Sequence, residues 1–153
     1  MTSEYNSIYS RFYQRVTDYT LAGLGESMAK NMMNGWMRSV LSKPYVRRLF
    51  ATLTIDDDAE EIEYELKFPV SDDEDQDFVE EMIATGMVAE WLQPRYESEV
   101  NVLQLFSNTD IKFYSQANHM AELREMYHRA KNDLRKIIRD RGYISNVYLA
   151  GAT

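Results

Sequence analysis

The side chains best suited to chemistry are two histidines, His119 and His128, and two runs of carboxylates, Asp56-Asp57-Asp58 and Asp72-Asp73-Glu74-Asp75. A metal shared by the histidines would need both on one helix face. They are nine residues apart, about 180° beyond two full turns, so they point to opposite sides. His119 reads instead as a hydrogen bonder at a helix start or in the core. The carboxylate runs could hold a hard cation through oxygen, but they lack the alternating ligands and turn glycine of a calcium loop. Glycoside hydrolysis would need two carboxylates in a cleft with aromatic platforms, and no pattern here builds one. There is no Gly-x-Gly-x-x-Gly, no phosphate loop and no Gly-x-Ser-x-Gly elbow. With no cysteine there is no thiolate nucleophile, thiolate metal site or disulfide. The expectation is a chain that is not an enzyme and carries no cofactor or metal.

A basic set lies near the C-terminal end: Arg124, Arg129, Lys131, Arg135, Lys136, Arg139 and Arg141. It is interleaved with Glu122, Glu125, Asp133 and Asp140, leaving +3 over residues 122–141. That is too dilute for a phosphate-binding stripe, and a solvated helix face is the better reading.

The elements that must position these groups fit one domain of 153 residues, long enough to bury a core. Its apolar and charged fractions of 44% and 27% are those of an ordinary globular chain. No window has the apolar length of a membrane span, and Met-Thr-Ser-Glu-Tyr-Asn does not read as a signal peptide. Cytosolic synthesis is expected. The net charge of −8 is unevenly spread, because Asp56–Glu81 holds fourteen acids against one base, Lys67. An acidic segment is thus attached to a mildly basic body. It reads either as a solvated loop or as a surface that repels nucleic acid or docks a basic partner.

Apolar spacing predicts a helix over 4–19, through Tyr5, Ile8, Phe12 and Val16, with Ser3 as N-cap. The glycines of Leu21–Gly25 break it. A second helix is predicted from about Glu26 to Ser42, with Met28, Met32, Trp36 and Val40 on its apolar stripe and Met33 and Met37 beside it, stopped by Pro44. Period-two alternation predicts a two-stranded hairpin over 52–68, turning at Asp56–Ala59. A lone hairpin is marginal in water, so it should rest on the helices or on another subunit. An acidic loop, 69–76, follows. A third helix, 75–92, is apolar nearly all round in its second half and belongs at the centre of a bundle. Gly86 inside it implies the close approach of a neighbouring helix, and Gln93-Pro94 should end it.

A short helix is expected over 98–106. The last and longest carries a heptad-like seam, Met120, Leu123, Tyr127, Ala130, Leu134 and Ile137, and Gly142 reads as its C-cap. The fold class is therefore mainly α: a bundle of four to five helices over residues 1–142, with a small β-hairpin insertion. An extended C-terminal arm, 143–153, completes it. Met28, Met32, Met33 and Met37 could form an adaptable binding surface, but a loosely specified core is the better reading. Eleven tyrosines exceed what one small core needs, and tyrosine suits interfaces. With the unplaced apolar arm, they point to assembly with other chains.

Two blocks carry a resemblance. Met87-Val-Ala-Glu-Trp-Leu92 and Asp110-Ile-Lys-Phe-Tyr-Ser-Gln-Ala-Asn-His119 resemble blocks of the head-to-tail adaptor proteins of tailed bacteriophages, as do Tyr5, Ile8, Phe12 and Thr17-Asp18-Tyr19. The family-like residues are Met87, Glu90, Trp91, Leu92, Asp110, Tyr114, Ser115, Gln116, Asn118 and His119. The acidic middle of the chain departs from the family pattern.

The resemblance implies a helical virion protein of the neck, made in the host cytoplasm. It implies a homo-oligomeric ring of typically twelve copies beneath the portal protein, with a stopper or tail-completion protein below. Genomic DNA would pass through without sequence-specific binding, and no membrane is involved. Tyr143, Ile144, Val147, Tyr148 and Leu149 resemble the arm that such adaptors lay onto the portal. Asp56, Asp57, Asp58, Asp72, Asp73 and Glu74 would then face the channel or an adjacent ring. The competing expectation is a small acidic regulatory or inhibitor protein that mimics DNA.

Overall fold

The computed structural model describes the backbone of residues 1–105 and 110–144, with their side chains except those of 19–20, 98–105, 110–118 and 144. The fold is mainly α: six helices and one small three-stranded antiparallel sheet among the described residues. In chain order the elements are β1 Thr2–Glu4, α1 Tyr5–Tyr13, α2 Tyr19–Gly23, α3 Glu26–Ser42, α4 Pro44–Arg47, β2 Phe50–Asp56, β3 Glu61–Leu66, α5 Asp72–Leu105 and α6 Asp110–Ile144.

The hairpin forms where the period of two predicts it, with one addition. A third strand, β1, pairs with β3 through Thr2↔Glu63, Ser3↔Ile62 and Glu4↔Glu61. Ser3 is therefore not an N-cap. Its buried hydroxyl lies 3.2 Å from the Tyr64 hydroxyl, and helix α1 starts at Tyr5. The β2–β3 turn is held by Asp56, whose carboxylate accepts the Asp58 and Ala59 amides at 2.9 and 3.0 Å. On β3, Ile62, Tyr64 and Leu66 point into the core and Glu63 and Glu65 point out.

The apolar side of α3 is rotated from the sequence expectation. Ala29, Met33, Met37, Val40 and Leu41 are buried, whereas Met28 and Met32 are 55% and 42% exposed. Both stripes satisfy helical spacing, and the polar stripe decides between them. Lys30, Asn34 and Arg38 face the hairpin turn, where they meet Glu60 and Asp57. Pro44 ends α3 as expected and opens α4.

Helix α5 is the central element. Val79 and every residue from Met82 to Met87 are buried, because α1, α3 and α6 all lie against it. At Gly86 two of them, α3 and α6, come close. A Cβ there would sit 2.7 and 2.8 Å from the two Val40 methyls and 3.3 Å from Leu134 Cδ2. The α6 seam holds at Ala130 and Leu134, which are buried, but ends on buried Ile138 rather than Ile137; Leu123, Tyr127 and Ile137 pack beside them, and Met120 is half-buried. Contacts run from Tyr96–Tyr127 at one end to Phe78–Arg141 at the other, so α6 is antiparallel to α5.

Three further sequence expectations are corrected. The acidic stretch Asp72–Asp75 is not loop but the first turn of α5, where carboxylates meet the positive end of the helix dipole. Gly142 does not cap α6, which runs on through Tyr143 to Ile144. Pro94 does not end a helix, because α5 continues through it to Leu105. Proline removes one backbone hydrogen bond, but α6 contacts bracket it, with Leu92 beside Ala130 and Tyr96 stacked on Tyr127.

Replacing Pro94 should therefore restore the amide that the Glu90 carbonyl lacks. We expect Pro94→Ala to stabilise the chain by about 1–3 kcal/mol in urea denaturation. A loss of about 0.4–1 kcal/mol, as for a proline that rigidifies a loop, would contradict an unbroken α5.

Candidate functional site

The acidic segment and the basic helices meet inside one molecule. Arg11 of α1 reaches three acids of α5, at 2.5 Å to Asp77, 3.1 Å to Glu80 and 3.6 Å to Glu81, and Arg15 pairs with Glu81. Lys30 lies 3.2 Å from Glu60. These pairs fasten α1 and α3 to α5 and to the hairpin turn. Glu80 is buried; the other, more exposed pairs contribute little singly.

Asp57 is a junction. Its carboxylate accepts Asn34 Nδ2 at 2.9 Å, the Tyr5 hydroxyl at 2.8 Å and Arg38 at 2.5 Å. The Asn34 and Tyr5 hydrogen bonds, with Arg38, hold the Asp57 carboxyl below its usual range. Its contribution to stability is present above the ordinary carboxylate range and is lost as pH falls through the lowered value. Burial, ahead of the bond to Asp57, raises the Tyr5 phenol.

Asp75 is the one buried acid of its run, at 1% exposed. It accepts the Val70 amide at 3.0 Å and pairs with Arg141 of α6. Arg141 also covers the Phe78 ring at 5.0 Å. This clamp ties the start of α5 to the end of α6.

The remaining acids divide in two. Asp58, Asp72, Asp73 and Glu74 are exposed and available to a partner. Asp56 and Asp57 are taken up by the turn and by α3, so neutralising Asp56, Asp57 and Asp58 together would damage the fold.

The family-like residues have structural surroundings. Tyr5, Ile8, Phe12, Met87 and Leu92 are core, and Glu90 pairs with Lys43. Trp91 Nε1 donates to Asp18 Oδ2 at 2.8 Å. Arg95 also bonds Asp18 and stacks over the Trp91 ring at 4.5 Å. Asp18 Oδ1 accepts the Leu21 amide at 3.1 Å, which shapes the start of α2. The Thr17-Asp18-Tyr19 and Met87–Leu92 blocks thus meet at one polar junction, a contact invisible to sequence at a separation of 73 residues.

Asp110, Tyr114, Ser115, Gln116 and Asn118 lie on α6, their side chains outside the described set, and His119 is exposed. In the arm, Tyr143 and Ile144 are the last two residues of α6, whereas Val147, Tyr148 and Leu149 lie outside the described residues. Among the described residues no three histidine or acidic side chains converge to hold a metal ion. No helix among them is long and apolar enough to cross a membrane.

A depression of about 520 Å³ runs between α5 and α6 over Val88, Leu92, Met126 and Ala130. Its charged rim comprises Arg15, Glu81, Arg129, Asp133, Lys136 and Asp140. No protein-family model, curated protein or solved structure matches the chain.

Removing Arg141 would leave Asp75 buried and unpaired. Arg141→Met should cost about 3–5 kcal/mol in urea denaturation. A cost below about 1 kcal/mol, as for an exposed pair, would refute the clamp.

Proposed function

We propose that the chain is a structural connector: an adaptor that forms a ring at the neck of a tailed bacteriophage. It would sit beneath the portal, join a stopper or tail-completion protein below, and let genomic DNA pass without sequence-specific binding. The virion is its place of work, and the host cytoplasm its place of synthesis.

The observation that carries this reading is the Asp18–Trp91 junction. Two sequence blocks, each resembling the adaptor family, come together there and lock α5 to the α1–α2 exit. Such residues suit a rigid body that transmits load between rings. The exposed acids Asp58, Asp72, Asp73 and Glu74 would face the channel, where like charge keeps DNA from adhering, or an adjacent ring. The arm from Tyr143 onward would lie on the portal.

One observation favours the second reading, a DNA-mimicking inhibitor. Glu61, Glu63 and Glu65 alternate along β3 with the core residues, which places them on the sheet's outer side about 6.6 Å apart. The internal ion pairs weigh against it, because they occupy much of the acidic segment with the chain's own cations.

Electron microscopy of the purified protein with the portal from the same phage, beside a mass measurement of the free chain, separates the two. A ring capping the lower face of the portal is expected. A monomer or dimer that ignores the portal, and binds a basic nucleic-acid enzyme with strong salt dependence, would overturn the connector reading.

A further inference from the structure

Helix α6 has two sides of different charge, which the order of its residues conceals. At about 100° per residue, Arg124, Lys131, Arg135 and Arg139 fall within about 80° of one another. Lys131 and Arg135 border a cavity of about 210 Å³ beside Pro44 and Tyr45, and the same stretch of chain carries exposed Arg47 and Arg48. Asp133 and Asp140 lie on the other side of α6 with Arg129 and Lys136, along the depression that reaches Arg15. Glu125 is paired with Arg129. Among the described residues Arg124, Lys131 and Arg135 have no ion pair, and Arg139 has only its neighbour Asp140, at 3.4 Å.

The outer side of the sheet carries the opposite charge. The strand register places Glu4 of β1 and Asp56 of β2 on either side of Glu61, and Thr2 and Thr54 on either side of Glu63. Glu65 continues the row along β3. Like charges directly opposite destabilise a sheet, and among the described residues Glu4, Glu61, Glu63 and Glu65 have no ion pair to relieve them. The inner side of β3 is packed on the core through Ile62, Tyr64 and Leu66. Within one chain, then, no ion pair joins the basic side of α6 to the acidic side of the sheet.

The spacings of the two surfaces match. Four residues of helix advance about 6 Å, the step from Lys131 to Arg135 and again to Arg139. Two residues of strand advance about 6.6 Å, the step from Glu61 to Glu63 and again to Glu65. Steps this similar keep three cations opposite three carboxylates along one contact.

We propose that the basic side of α6 docks on the outer side of the sheet in a second copy of this chain, with Lys131, Arg135 and Arg139 set along Glu61, Glu63 and Glu65. The two faces differ, so the contact is heterologous, and its repetition gives a closed ring or an open filament. As the seam of a neck ring it rests on the connector reading. As a contact between copies it does not, and it can be tested in the free chain.

Arg135→Glu with Arg139→Glu sets acid against acid along the contact, and Glu63→Lys with Glu65→Lys sets base against base. All four residues are exposed. Mass measured over rising concentration at low salt should show the parent associating, and added salt should reverse it. Each double variant alone should associate at least about tenfold more weakly. Mixing the two variants should restore association in one-to-one proportion, a recovery that loss of fold cannot produce. A parent that stays monomeric at low salt would overturn the proposal, as would variants that associate like the parent or a mixture that stays apart. A monomeric parent that binds a DNA duplex through Arg135 and Arg139 would also overturn it, and would give the basic side of α6 to a phosphate backbone. A parent that associates through these faces but ignores the portal would sustain the proposal and sink the connector reading.

Discussion

The structure depends on how closely three helices approach at Gly86. Both Val40 methyls and a Leu134 methyl occupy the space that a Cβ would need. Valine is β-branched and stiff about χ1. With both methyls that near, rotation cannot clear the site. The absence of a side chain at this one position lets α3 and α6 share α5 as a common wall. Each then buries its apolar stripe against a helix that is apolar nearly all round. The same approach sets where the ends of α5 fall, and so brings Asp75 to Arg141 and Trp91 to Asp18.

Around that crossing, charge does what apolar burial cannot: it fixes rotation and register. A methionine-rich stripe is tolerant of a turn about the helix axis, because Met28 could replace Met33 with little change in apolar content. Lys30, Asn34 and Arg38 are not tolerant, since their partners sit on one turn of the hairpin. The acidic segment is therefore partly an internal fastening. What it leaves for partners is narrower than its composition suggests: the outer side of the sheet and the exposed residues Asp58, Asp72, Asp73 and Glu74. That division suits a connector, in which a stiff body presents a few charged and apolar surfaces to other chains.

Much of this was legible in the sequence. The all-round apolar run of α5 and its interior glycine predicted a central helix with a close neighbour, and the 3–4 seam of α6 marked its buried face. The hairpin showed itself by its period. β1 did not, because three residues cannot display a period and Thr2-Ser3-Glu4 reads equally well as a helix start. The passage of α5 through Pro94 was hidden because proline rules are local, while the contacts that carry the helix past it come from α6. The rotation of α3 was hidden for the same reason. The family-like blocks could be seen one by one, but their meeting at Asp18 and Trp91 could not, since nothing in either block names the other.

The central claim is that steric closeness at Gly86 holds the three helices together, and a pair of alanine variants tests it most directly. Gly35 lies inside α3, and a methyl added to it would meet nothing within 4 Å. Gly35→Ala should therefore stabilise by about 0.5–1 kcal/mol through helix propensity alone. Gly86→Ala gains the same propensity but overpacks the crossing, and should destabilise by about 1–2 kcal/mol net. Urea denaturation of both variants beside the parent chain is the measurement. Opposite signs are the expected result; stabilisation of similar size at both positions would contradict the account.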